Sequence, residues 1–192
     1  VAHLHGAPVV MSETSDFAQV YRPAGNTSPI EPVGVSDIVG TCNRLYVAGV
    51  NTTNSDYSWA GLDTAQMRRI SEFVGRCGTM LTGGRPITDV AVLYPIESVW
   101  AHMTPATLGA TRSPKVHRID RVWQECQNVL FRGQRDFEVV PSHAIAGAGI
   151  EDGVLVAGPL RFRAVVLAAT DTIPTEAWQR LSEFWDRGGI VL

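Results

Sequence analysis

The sequence predicts an α/β protein built on parallel sheets covered by helices. Short apolar runs alternate with segments of helical period, the runs carry hydrophobic residues at consecutive positions, and the runs are commonly closed by polar or turn-forming residues. Consecutive apolar positions suit a strand buried on both faces, which is the usual state of a strand between two helical layers.

The first run, Ala7 to Ser12, stops at the polar cluster Glu13-Thr14-Ser15-Asp16, and a loop rich in Pro, Gly, Asn and Ser extends from Arg22 to Gly34. Val35, Ile38, Val39 and Cys42 have helical spacing. Leu45 to Val50 predicts a second buried strand, closed by a second polar cluster, Asn51 to Asp56. Met67, Ile70, Phe73, Val74, Cys77 and Leu81 mark an amphipathic helix stopped by Gly83-Gly84. Asp89 to Tyr94 is a β-rich run, followed by a polar loop with Trp100, His102 and Pro105 that lasts to about Pro114.

Val116, Ile119, Val122, Trp123, Cys126, Val129 and Leu130 predict a second long helix. Phe137 to Val140 is a strand, Ser142 caps a short helix, and Val154 to Val156 pairs with Arg161 to Arg163 as a small ribbon. Ala164 to Ala168 is a fully apolar strand. Pro174 opens a helix carrying Trp178, Leu181, Phe184 and Trp185 on one face, Gly188-Gly189 ends it, and Ile190 to Leu192 begins another strand.

A boundary falls near residues 84–88, dividing 1–85 from 86–192. The first part supplies only two strands, too few for a stable sheet alone. The second supplies about four main strands and three helices, enough for an open doubly wound sheet of flavodoxin-like or class I amidotransferase-like type. That asymmetry, with a start at Val-Ala-His and a finish on a strand-like run, predicts a piece of a longer protein.

The composition, 45% hydrophobic and 18% charged with five tryptophans, is that of a globular chain with a substantial core. A formal net charge of −3 provides no basic field for nucleic acid. No apolar run approaches the roughly 18–20 residues that span a bilayer. Cys42, Cys77 and Cys126 fall on helical apolar stripes and read as reduced, buried thiols.

Glu13 is the leading candidate for chemistry. It follows an apolar strand directly, and active sites of parallel α/β folds lie at the carboxyl ends of strands. A glycosidase places its nucleophile or base in this way; an exposed or helix-capping glutamate is the competing reading. Asn51, Asp56, Tyr57 and Trp59 form the second strand tip, where amides hydrogen-bond sugar hydroxyls and aromatic faces stack on sugar C–H groups; an ordinary turn is equally consistent with these residue types. His3 and His5 have no third ligand nearby, so no metal is expected, and Gly147, Gly149 and Gly153 do not make a dinucleotide fingerprint, so no cofactor is expected. No cysteine sits at a strand end, which argues against active amidotransferase chemistry.

Val1-Ala-His-Leu-His-Gly-Ala-Pro-Val-Val-Met-Ser-Glu13 resembles the Ala-His-x-x-Gly-(Lys/Arg)-Pro-x-x-x-x-Glu pattern of large bacterial glycoside hydrolases. Asn43 to Asn51 looks like their next barrel strand, Thr88 to Trp100 like the start of the domain behind the barrel, Arg135 to Val140 like its second strand, and Gly188 to Leu192 like its late helix–strand junction. The nearest family is the α-L-rhamnosidase-like hydrolases of family 106, with the family 42 β-galactosidases a looser match.

The resemblance implies the end of a (β/α)8 barrel followed by an amidotransferase-like domain. Glu13 would stand at the tip of the seventh barrel strand as one of two catalytic carboxylates, and Asn51 at the tip of the eighth. It implies a carbohydrate substrate, a possible homo-oligomer, and a periplasmic or secreted setting. Where the family often carries a His near position 56, this chain has Asp56, which points to altered substrate contacts. The second carboxylate is expected on a strand outside these residues, with Asp16 and Asp56 as the alternatives within them. The alternative is a non-catalytic α/β scaffold or oligomerisation module, with the segment from Trp100 to Pro105 at an interface.

Overall fold

The computed structural model describes residues 2–15, 27, 33–56, 61–104 and 113–192, with Ser15, Ser55 and Asp56 described by backbone alone. The chain forms two compact units, one of Ala7–Arg85 and one of Val1–Gly6 with Pro86–Leu192. The first six residues, which the sequence reading ran on into the strand before Glu13, therefore belong to the unit that begins at Pro86.

In the smaller unit, β1 (Met11–Ser15) and β2 (Thr52–Asp56) pair in parallel, connected through α1 (Val35–Val47) and followed by α2 (Thr64–Leu81). β2 lies wholly beyond the apolar run expected to form it, and β1 overlaps its run only at Met11 and Ser12. Leu45 and Tyr46 extend the helical stripe of Ile38 and Cys42, so this run continues the helix. Gly49, at φ 88°, then terminates α1: its N–H bonds to Tyr46 O at 2.9 Å and Val50 N–H to Leu45 O at 3.0 Å. Ile38, Cys42 and Ile70 form the buried centre, packed by Tyr46, Phe73 and Val74. Asp63 caps α2 by accepting from Gln66 N–H at 2.7 Å while the Gln66 side chain accepts from Asp63 N–H at 2.9 Å.

The larger unit is organised on a parallel sheet in the order β4-β3-β8-β9, where β3 is Val90–Leu93, β4 Phe137–Val140, β8 Ala164–Val166 and β9 Ile190–Val191. The chain enters at β3, passes to β4 on one side through α3 (Ile96–His102) and α4 (Pro114–Arg132), and continues through α5 (Ser142–Ala146). It reaches β8 on the other side of β3 after a three-stranded antiparallel meander of β5 (Gly149–Glu151), β6 (Val154–Ala157) and β7 (Leu160–Phe162), then passes through α6 (Thr175–Asp186) to β9. Right-handed crossovers running to opposite sides place α4 and α6 on opposite faces of the sheet. This is the mixed α/β architecture with parallel sheets that the sequence predicts. One expected loop is in fact helical: Trp100 and His102 lie in α3, which follows Pro95, while Pro105 lies outside the described residues.

The core joins Ala91, Leu93 and Val165 of the sheet to Ile145 of α5, Ala177, Leu181 and Phe184 of α6, and Leu155, Leu160 and Phe162 of the meander. Burying Phe162 or Phe184 contributes roughly 1.5–3 kcal/mol each. Asp152 and Gly153, both at positive φ, make the two-residue turn between β5 and β6, an Asp-Gly pair suited to such a hairpin. The 3₁₀ turn His3–His5 packs Leu4 into this core, and His3 Nδ1 lies 2.8 Å from Glu138 Oε2 with both side chains about nine-tenths buried.

Gly158, at φ 58° between β6 and β7, allows that turn to approach. A Cβ at this position would stand 2.0 Å from Leu4 O. Gly158→Ala is expected to lower stability by about 2 kcal/mol or more, because the clash is with backbone and the φ is one that alanine resists. Urea denaturation of the two proteins measures it, and an unchanged midpoint contradicts the packing.

Candidate functional site

In the smaller unit Glu13 is the third of five residues in β1, opposite Asn54 in the parallel register, and thus inside the strand rather than beyond its tip. Exposure alternates along β1: Met11 and Glu13 face solvent while Thr14 is buried and Ser12 half-buried. The Glu13 carboxylate therefore sits on an open face of the sheet, with no ion pair among the described residues. A parallel sheet normally has helices on both faces, so this open face departs from the usual rule.

Asn51 is buried, and both ends of its amide bond within its own unit. Nδ2 donates to Pro8 O at 2.9 Å, and Oδ1 accepts from Val10 N–H at 3.0 Å and from Thr52 Oγ1 at 3.1 Å. These bonds hold the chain ahead of β1 against the start of β2. Asn51 acts here as a clamp between the two strands rather than as a group free to meet a sugar. Asp56 ends β2 opposite Ser15 in the register, and Tyr57 and Trp59 lie outside the described residues.

A second constellation, which sequence reasoning passed over, occupies the carboxyl ends of β3, β4 and β8 in the larger unit. Strand order reverses between β3 and β8, the place where open α/β sheets form a ligand crevice. Ser98, fully buried on α3, ties the two strand ends together: its Oγ donates to Thr172 O at 3.1 Å and accepts from the N–H groups of Asp171 and Thr172, both at 3.0 Å. Beside it, Glu97 Oε1 accepts a short hydrogen bond from Ser142 Oγ, which brings in the end of β4.

Asp171 Oδ2 lies 2.9 Å from His102 Nε2 and 2.8 Å from Lys115 Nζ. The Lys115 ammonium first, and then the His102 ring, hold the Asp171 carboxyl well below the usual carboxylate range. The turn leaving β8 is strained: Thr170 N–H bonds to Leu167 O at 3.3 Å, and Ala169 within it stands at φ 56°, a left-handed conformation that costs a non-glycine residue about 1–2 kcal/mol. Tyr94, just past β3, is half-exposed and packs on Trp123 at 5.3 Å between ring centroids, while Trp123 Nε1 donates to Leu93 O at 3.1 Å.

The rule that singled out Glu13, a polar residue following a strand, applies equally to Glu97, Ser142 and Thr170. Among the described residues no group of three or more His, Cys, Asp or Glu side chains is arranged to hold a metal, and no helix is long and apolar enough to cross a membrane. Comparison of the chain with protein-family models, with curated proteins and with solved structures finds no match.

Ser98→Ala leaves two N–H groups and a carbonyl without their partner, and is expected to cost about 1–3 kcal/mol in chemical denaturation. Asp171 supplies a pH dependence. Its carboxyl is depressed in the folded state, so its contribution is fully present above the unfolded value of about 4 and is lost as pH falls through the lower folded value. Asp171→Asn should flatten the acid limb of melting temperature against pH below about pH 4, and an unchanged limb contradicts the ion pairs.

Proposed function

We propose that the chain is part of a glycoside hydrolase, comprising the end of a (β/α) barrel and much of the α/β domain behind it, with Glu13 as one of two catalytic carboxylates. The observation that supports this reading is the Glu13 side chain: a solvent-facing carboxylate on a parallel strand pair, without an ion-pair partner among the described residues. The family resemblance of the segment from Val1 to Glu13 supports the same reading.

Glycoside hydrolysis uses one carboxyl group as acid and a second as nucleophile or base, with a separation near 5 Å for retention and about 6.5–9.5 Å for inversion. Glu13 fills the second role in this proposal, and its partner comes from a strand outside residues 1–192. The substrate is a plant or microbial polysaccharide, rhamnosidase-like in linkage, with Asp56, Tyr57 and Trp59 as candidate sugar contacts. Asn51 contributes by holding β1 and β2 in register.

In the complete protein, Glu13→Gln is expected to lower kcat on the order of a thousandfold or more while far-UV circular dichroism is unchanged. Wild-type activity in that variant leaves a scaffold or oligomerisation module as the reading. Residues 1–192 alone are expected to give no turnover of aryl glycosides, since one carboxyl of the pair is missing; clear turnover overturns the division of the pair.

A further inference from the structure

The register of the smaller unit brings a second polar side chain to the face that carries Glu13. β1 and β2 pair with Met11 opposite Thr52, Ser12 opposite Thr53 and Glu13 opposite Asn54. Exposure alternates in step along both strands: Met11, Glu13, Thr52 and Asn54 are exposed, while Ser12 and Thr53 are half-buried. Residues in register on adjacent strands point to one side of the sheet, and the two chains run about 4.8 Å apart. The Glu13 carboxylate and the Asn54 carboxamide are therefore neighbours on one open face. The backbone beneath them is pinned at this level, because the buried Thr14 hydroxyl donates to Asn54 O at 3.1 Å. Asn51 pins the other end of the strand pair through Pro8 and Val10.

We propose that Asn54 is a substrate-binding residue beside Glu13, its amide hydrogen-bonding the sugar hydroxyl on the carbon next to the reacting one. The inference rests on the glycosidase reading of Glu13. A carboxylate acting as nucleophile or base stands over the anomeric carbon, directly or through one water. The adjacent hydroxyl then lies to one side of it, within reach of a group one strand spacing away. An amide suits that position: it both donates and accepts, and it brings no second charge beside the carboxylate. Asn51 does not meet this need, since its amide is committed to Pro8 and Val10. Asn54 holds its place through its backbone and leaves its side chain exposed. Hydrogen bonds to this hydroxyl strengthen as the oxocarbenium character develops, so the contact acts on the rate and not only on binding.

The complete protein is assayed on a panel of aryl glycosides and on the 2-deoxy counterpart of the best substrate. Asn54→Ala is expected to lower kcat/KM on the parent glycoside at least about tenfold, mostly in kcat. On the 2-deoxy glycoside, which lacks the hydroxyl, the same variant is expected to stay close to wild type. A merely structural asparagine lowers both substrates by one factor. Asn54→Thr, a better strand former, is expected to repeat the substrate-selective loss with the strand pair kept. Equal losses on the two substrates, or no loss on the parent, overturn the role of Asn54. Glu13→Gln separates this failure from failure of the wider reading. Wild-type activity in Glu13→Gln, or no hydrolysis of any panel member by the wild type, removes the glycosidase reading and the Asn54 contact with it. Activity lost in Glu13→Gln but kept on both substrates in the Asn54 variants overturns the Asn54 contact alone.

Discussion

The bonds of Ser98 are the constraint on which the larger unit depends. β3 is the middle of its sheet, with β4 on one side and β8 on the other, and Ala91, Val92 and Leu93 are entirely buried. Such a strand needs both neighbours in register, and backbone pairing with β8 covers only three residues. Beyond that ladder the two chains diverge to opposite faces. Ser98 continues the pairing there with a side chain, supplying an acceptor for two N–H groups and a donor for one carbonyl. Its hydroxyl serves where a longer strand would have served, while leaving the strand ends splayed. The splayed ends then gather Glu97, Ser142, Thr170 and Asp171 in one place.

Asn51 solves a related problem in the smaller unit. A parallel pair of five-residue strands has little apolar surface of its own, and here the paired segments are Met-Ser-Glu-Thr-Ser and Thr-Thr-Asn-Ser-Asp. The buried apolar centre of the unit, Ile38, Cys42 and Ile70, lies on α1 and α2 rather than on the strands. The buried Asn51 amide adds bonds to the backbone on both sides of its carboxamide, matching the geometry that one more ladder pair would have. A residue type that suggests sugar recognition in the sequence is thus explained by backbone accounting. Glu13 makes no ion pair among the described residues and is exposed on its strand.

The elements that were legible in the sequence are those whose apolar period is long. α4 and α6 appear where Val116 to Leu130 and Trp178 to Trp185 predict them, β3, β4, β8 and β9 lie within their apolar runs, and β6 and β7 match theirs to within one residue. Short apolar runs are ambiguous between strand and helix, and the structure resolves Leu45 to Val47 as helix because Ile38 and Cys42 already define that stripe. Displacing β2 to Thr52–Asp56 turns a supposed strand tip into the strand itself. The same shift moves Glu13 from tip to interior. α3 was hidden because a seven-residue helix after a proline has too few positions to show a period. The cluster at β3, β4 and β8 was hidden for another reason. Glu97, Ser142 and Thr170 are 28 or more positions apart in sequence, and only the order β4-β3-β8 makes them neighbours.

The two glutamates of interest are held in opposite ways, and the contrast bears on what each can do. Glu13 is exposed on its strand, with no ion pair among the described residues, so its loss should leave the fold intact. Glu97 has one oxygen committed to Ser142 and the other shielded, so its charge is already part of the packing of the strand ends. A carboxylate of the first kind is suited to proton transfer or nucleophilic attack once a substrate excludes water. The two units thus hold the same functional group in two physical states, exposed on its strand at Glu13 and committed to the packing of the strand ends at Glu97.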